Sequence, residues 1–125
     1  MWQQIMWIAL AGACGTLARY GISELVKHFS GSEFPWGTLV VNAIGCLAFA
    51  FVWSLAEQRQ WISPQTRTIM LVGFMGAFTT FSTYMFETDQ LYQQGHFWSA
   101  TGNLMAQNTL GILAILSGVS LAKIV

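Results

Sequence analysis

A chain of 125 residues has room for one domain and hardly more. With 54% hydrophobic and only 8% charged residues it lacks the polar surface of a soluble domain, in which about a quarter of side chains are charged. Its net charge of zero excludes the basic footprint of a nucleic-acid binder, so no nucleic-acid partner is expected.

The few charges mark out the spans. Residues 1–18, 34–56, 68–86 and 90–122 carry none. A membrane-spanning helix needs roughly 20 mostly apolar residues, and all four stretches meet or nearly meet that length. The chain therefore reads as an all-α membrane protein with four transmembrane helices, forming a single domain over residues 1–125. A first helix is expected over 2–27. It has no basic amino-terminal region, and its small residues run into Arg19 rather than a cleavage site, so it reads as a retained span and not a leader. The stretch 29–35 holds Gly, Ser and Pro and is expected as a loop. A second helix is expected over 37–56, then a polar hairpin over 57–63, with Pro64 suited to a first helical turn. The third helix is expected over 65–94, ended by Gly95, and the fourth over 98–123. Trp2, Trp7, Trp36, Trp61 and Trp98 fall near predicted ends, where interfacial aromatic belts lie.

Arg59, Arg67 and Lys123 lie on the side shared by both termini; Lys27, and Arg19 if it snorkels, lie on the other. This is a weak positive-inside bias, so the chain is expected to insert both ways round, and opposite copies to pair as an antiparallel homodimer. Small residues recur at helical spacing at Gly12, Gly15 and Ala18, and at Ala100, Gly111, Ala114, Gly118 and Ala122. They serve packing within the chain or contact between subunits. Cys14 and Cys46 sit in apolar runs without CxxC spacing and read as buried packing residues.

A polar group in hydrocarbon costs free energy unless partnered, so each one is a functional candidate. Arg19 either snorkels or draws an anion into a vestibule. Thr38, Asn42 and Gly45 share one face of the second helix, where the Asn42 amide holds an anion or bonds a neighbouring helix. In the third helix, Gly73, Gly76, Thr79 and Thr80 weaken the helix at its centre. A break there would turn carbonyls from the 76–79 segment toward the membrane midplane, as suits a cation such as sodium. The hydroxyls of Thr79, Thr80, Ser82 and Thr83 offer donors, or bond back to carbonyls one turn earlier. Phe81 and Tyr84 are three apart and share a face. Their ring edges are positive and suit a small anion, although such a pair also serves simply as core. Glu87 ends this polar run. Asn103 and Gln107, four apart with Asn108 beside them, make a polar stripe on the fourth helix. His28 and His96 fall in predicted loops and are assigned no role.

The run Gly73-Phe74-x-Gly76-x-x-Thr79-Thr80-Phe81-Ser82-Thr83 resembles the central signature of the Fluc/CrcB fluoride channels. Gly12-x-x-Gly15-x-x-x-Arg19-Tyr20 is similar to that family's first helix, and Trp36-Gly37-Thr38-Leu39-x-Val41-Asn42-x-x-Gly45 to its second. The resemblance covers nearly the whole chain. It implies a passive, selective fluoride channel that lowers cytoplasmic fluoride from the bacterial inner membrane. It also implies an antiparallel, dual-topology homodimer with the third helix broken at its centre and a structural sodium ion at the interface. By the same resemblance Gly76 and Thr79 supply sodium-binding carbonyls, and Phe81 and Tyr84 face fluoride. Asn42 then donates to fluoride, and Ser82, Thr83 and Glu87 line or flank the pathway. Arg19 sits near the aqueous vestibule, and Asn103 and Gln107 are pore-lining candidates. The family commonly has Phe where this chain has Tyr84.

A proton-coupled exporter of cationic drugs would share the size and helix count. It needs a membrane-embedded carboxylate in its first helix, where this chain has only Glu24, past Arg19. A non-transporting assembly subunit would explain the small-residue stripes and Trp belts, but not Thr-Thr-Phe-Ser-Thr in mid-span. No nucleophile–base or metal constellation suggests an enzyme.

Overall fold

In a computed structural model, which describes residues 1–59 and 61–125, the chain is helical almost throughout. Helix α1 covers Trp2–Ser30 and α2 covers Trp36–Arg59. The third span, Pro64–Gln93, is composite. It contains α3 (Pro64–Thr68), a π-helical stretch (Ile69–Met75), α4 (Gly76–Phe78) and α5 (Phe81–Gln93). Helix α6 covers Phe97–Ile124. All four spans are long and apolar enough to cross a membrane. Of the hairpin expected over 57–63, residue 60 lies outside the described residues.

The helix ends follow local chemistry. Gly31 closes α1 in a left-handed conformation (φ 56°), and its N–H donates to the Lys27 carbonyl at 3.3 Å. Ser63 caps α3 by accepting from the Thr66 N–H at 3.1 Å, with Pro64 in the first turn. Gly95, at φ 82°, turns the chain between α5 and α6.

Burial is inverted relative to a soluble protein. Leu17 is 70% exposed and Val72 63%, while Asn103 is fully enclosed and Thr38, Ser54 and Gln107 are buried. Apolar side chains face outward when the surroundings are hydrocarbon, and polar ones turn inward to find partners. Trp2, Trp7, Trp36, Trp61 and Trp98 are all exposed, as interfacial anchors are. The sequence reading takes Cys14 as buried, but it is exposed on α1; Cys46 is half-buried.

Helix α2 packs most extensively against α6, and α1 against the π-helical stretch, followed by α2 and α4. With no hydrophobic effect between helices in lipid, such contacts rest on close backbone approach. A Cβ on Gly118 would overlap the Leu47 carbonyl, and one on Gly15 would overlap the Phe74 carbonyl. The small-residue stripes thus face neighbours within the chain at these positions. After Phe78 the backbone is extended at Thr79 (φ −80°, ψ 157°) and Thr80 (φ −149°, ψ 117°) before α5 begins.

Candidate functional site

The extended pair needs partners for groups a helix would have satisfied, and Asn42 supplies them. The Thr80 N–H donates to Asn42 Oδ1 at 2.9 Å, and Asn42 Nδ2 donates to the Thr80 carbonyl at 3.1 Å. The second Asn42 N–H reaches Gln107 Oε1 at 3.1 Å. One side chain therefore ties α2, the extended residues and α6 together. Room for this comes from Gly45, one turn further along α2: a Cβ there would overlap the Thr79 methyl group and lie 3.3 Å from the Phe78 ring.

The amide orientations follow from the backbone. Only Asn42 Oδ1 can receive the Thr80 N–H, so Nδ2 must face both the Thr80 carbonyl and Gln107. The Gln107 atom opposite is then its oxygen, and its Nε2 is left as a buried donor without a partner. Gln107 lines a cavity of about 310 Å³ with Asn42, Phe81, Tyr84 and Asn108. The Phe81 and Tyr84 rings meet edge-on, centroids 5.7 Å apart at 78°. Tyr84 is buried, whereas Phe81 is 72% exposed at the middle of a span. The amino end of α5, a region of partial positive charge, opens beside this cavity.

Redirected hydrogen bonds also free two carbonyls. In a continuous helix Thr80 N–H would bond the Gly76 carbonyl and Thr83 N–H the Thr79 carbonyl. Here Thr80 N–H goes to Asn42, and Thr83 N–H goes to Thr80 Oγ1 at 3.2 Å. Gly76 and Thr79 thereby keep carbonyl oxygens without those partners. The Thr79 hydroxyl bonds back to the Met75 carbonyl at 3.0 Å, and Thr80 Oγ1 donates to Thr83 Oγ1 at 3.0 Å. Ser82 Oγ lies 3.5 Å from Thr80 Oγ1.

One turn further along α5 and one turn back along α2, the Thr38 hydroxyl donates to Glu87 Oε1 at 2.8 Å. The Thr88 hydroxyl donates to the Tyr84 carbonyl at 2.8 Å, and Asn103 Nδ2 donates to Thr88 Oγ1 at 2.8 Å. Glu87 Oε2 and Asn103 Oδ1 are buried acceptors without partners. Glu87 and Thr38 form the floor of a polar vestibule of about 410 Å³, whose wall includes Glu24, Lys27 and Glu33. Glu33 also pairs with His96 at 3.0 Å, which joins the loop after α1 to the turn before α6.

The structure thus gathers Asn42, Phe81, Tyr84 and Gln107 at one cavity and brings Glu87 to the vestibule. Asn103 lies between, in the packed core. Ser82 and Thr83 occupy the exposed first turn of α5, and Arg19 is half-buried on α1 and lines neither cavity. Sequence reasoning missed Thr88, whose signal was its position four after Tyr84 in a span. It also gave Asn108 no role, although its amide reaches Tyr84.

Residues 6–119 match the family described as CrcB-like protein, Camphor Resistance (CrcB). A Nitrosococcus oceani protein named fluoride-specific ion channel FluC is 49% identical to this chain over 125 residues, 100% of each. Proteins of the same name from Desulforapulum autotrophicum and Solidesulfovibrio magneticus are 47% and 44% identical over 125 residues, again covering 100% of each chain.

Proposed function

The chain belongs to the CrcB-like protein family, and we propose that it passes fluoride along the polar groove between α2, α5 and α6. It is a multi-pass membrane channel and not an enzyme. The observation that carries the route is the central cavity, which offers neutral donors and aromatic edges and no fixed charge. A small anion leaving water needs donors at every point, yet a full positive charge would hold it too tightly to release. Gln107 Nε2, the edges of Phe81 and Tyr84, and the amino end of α5 meet both demands. Both Asn42 N–H groups are engaged, so Asn42 serves fluoride either by exchanging Gln107 for the ion or by holding Gln107 donor-outward. Ser82 and Thr83 flank the exposed side of the cavity, and Asn103 and Glu87 continue the track to the vestibule. Arg19 lines neither cavity and draws the anion only through its long-range charge.

The cavity is open to the outside of the chain, with Phe81 exposed at mid-span. A second copy covers it in this reading. The weak charge bias favours the opposite orientation for that copy, which gives an antiparallel homodimer in a bacterial inner membrane. The extended Thr79–Thr80 pair supports a third span broken at its centre. The carbonyls of Gly76 and Thr79, lacking their helical N–H partners, fit a hard cation that prefers oxygen ligands. A sodium ion bound there would neutralise those dipoles and fasten two copies. A drug exporter is not favoured: Glu24, the one carboxylate of α1, lies at the vestibule wall rather than in mid-span.

Liposomes loaded with fluoride and carrying the purified protein test the reading with a fluoride electrode. Fluoride leaves and chloride stays if it holds; equal retention of both ions by well-assembled protein defeats it.

A further inference from the structure

We propose that the Tyr84 hydroxyl donates a hydrogen bond directly to the permeating anion, and that Asn108 is the residue that turns it to that task. The inference rests on the fluoride-channel reading above. Tyr84 Oη receives an N–H from Asn108 Nδ2 at 3.1 Å. The other Asn108 N–H goes to the Leu104 carbonyl at 2.7 Å. A carbonyl can only accept, so the Asn108 atom lodged there is its nitrogen, and the amide cannot turn its oxygen to the phenol without losing that bond. Oη is held as an acceptor, and its own proton must look elsewhere.

Among the described residues no acceptor lies within hydrogen-bond reach of that proton. A buried tyrosine hydroxyl ordinarily donates to something, and Tyr84 is only 6% exposed. The same cavity contains a second unanswered donor: Gln107, 8% exposed, whose Nε2 has no partner. Two buried donors of different helices line one cavity of about 310 Å³, and neither has an acceptor within hydrogen-bond distance among the described residues. A small anion is the ligand that answers both, and a hydrogen bond to a charged acceptor is about twice as strong as a neutral one. A phenylalanine at residue 84 would leave only the ring edge. The hydroxyl therefore adds a binding contact, and Asn108, which reaches the ion only through Tyr84, is a positioning residue.

Fluoride currents of the full-length protein in lipid bilayers, measured against fluoride concentration, test this with Tyr84→Phe, Asn108→Leu and the double variant. Tyr84→Phe keeps the ring and is expected to raise the half-saturating fluoride concentration about tenfold, the loss of one hydrogen bond to a charged group. Asn108→Leu is expected to raise it about threefold, since the phenol then turns freely. The double variant should be no worse than Tyr84→Phe alone, because Asn108 has nothing left to orient. Wild-type half-saturation in Tyr84→Phe overturns the direct contact. Losses that multiply in the double variant overturn the positioning role. A wild-type protein that carries no fluoride overturns the channel reading itself, and this inference with it.

Discussion

Asn103 and Gln107 sit one turn apart on α6 with amides of the same chemistry, yet they present opposite faces. Gln107 is left with a buried donor and Asn103 with a buried acceptor. The difference comes from their neighbours. Gln107 meets Asn42, a donor whose direction is fixed by the backbone of Thr80. Asn103 meets Thr88, whose own proton is committed to the Tyr84 carbonyl, so that its oxygen can only accept. Toward the vestibule the acceptor character continues at Glu87 Oε2. Along the proposed path the unpartnered buried atoms therefore change from acceptors, at Glu87 and Asn103, to a donor, at Gln107, within one helical turn of α6. In this chain the polarity of the path is decided by relays that begin at backbone groups, and not by residue type.

Asn42→Asp breaks the comparison most severely. The carboxylate still accepts from the Thr80 N–H, but it cannot donate to the Thr80 carbonyl or to Gln107, and it leaves acceptors facing a negative charge. Each buried group stranded in this way costs ~1–3 kcal/mol. Fluoride flux should fall about a hundredfold or more, since ~1.4 kcal/mol is a factor of ten. Near-normal flux in assembled Asn42→Asp protein would remove Asn42 from its keystone role.

Gln107→Glu is the next largest test, because it erases the difference between the two levels. Its remaining oxygen still accepts from Asn42, but the free donor becomes an acceptor like that of Asn103. A flux about thirtyfold lower is expected from the lost hydrogen bond to a charged ligand. Wild-type flux would mean that the donor-lined level is not what admits the anion.

The four spans were legible because charge is excluded from hydrocarbon, and the stretches without it stand out in the sequence. The ends were legible because Pro64 and Gly95 act locally. Legibility stopped where the determinants are distant in sequence. The π-helical stretch Ile69–Met75 is built of ordinary apolar residues and Gly73, with no local mark. It lies against α1, where Gly15 brings the two backbones together at Phe74. The sequence put the weakness of the third span over Gly73, Gly76, Thr79 and Thr80; the two glycines sit in helical geometry, and the extended residues are Thr79 and Thr80. Glycine lowers helix stability, whereas the residues that leave the helix are those with an outside partner for their backbone, here Asn42. Of the candidate site, the aromatic pair, the Thr38–Asn42–Gly45 face and the Asn103–Gln107 stripe were visible from helical spacing. Which end of each amide faces the path was not, because that depends on pairings such as Asn42 with Thr80.

Glu87→Gln has the smallest expected effect and sharpens the comparison from the other side. The Gln oxygen can still accept from Thr38, while a donor replaces the unanswered Oε2 and one negative charge leaves the vestibule. That vestibule has Glu24, Glu33 and Glu87 against Lys27, so an entering anion meets more repulsion than attraction. Acting across water, the loss of one charge is worth ~0.5 kcal/mol, and fluoride current at low salt should rise about twofold. The gain should vanish near 1 M salt, where screening acts within ~3 Å. A rise that persists at high salt would mean that the new donor, and not the lost charge, helps the ion, so that donors limit passage at the vestibule as well as at the centre. A fall in current would mean that Glu87 is needed as an acceptor. The boundary between the two levels would then be a working part of the path, where something other than the bare anion, such as a proton or its water, is handed to the carboxylate.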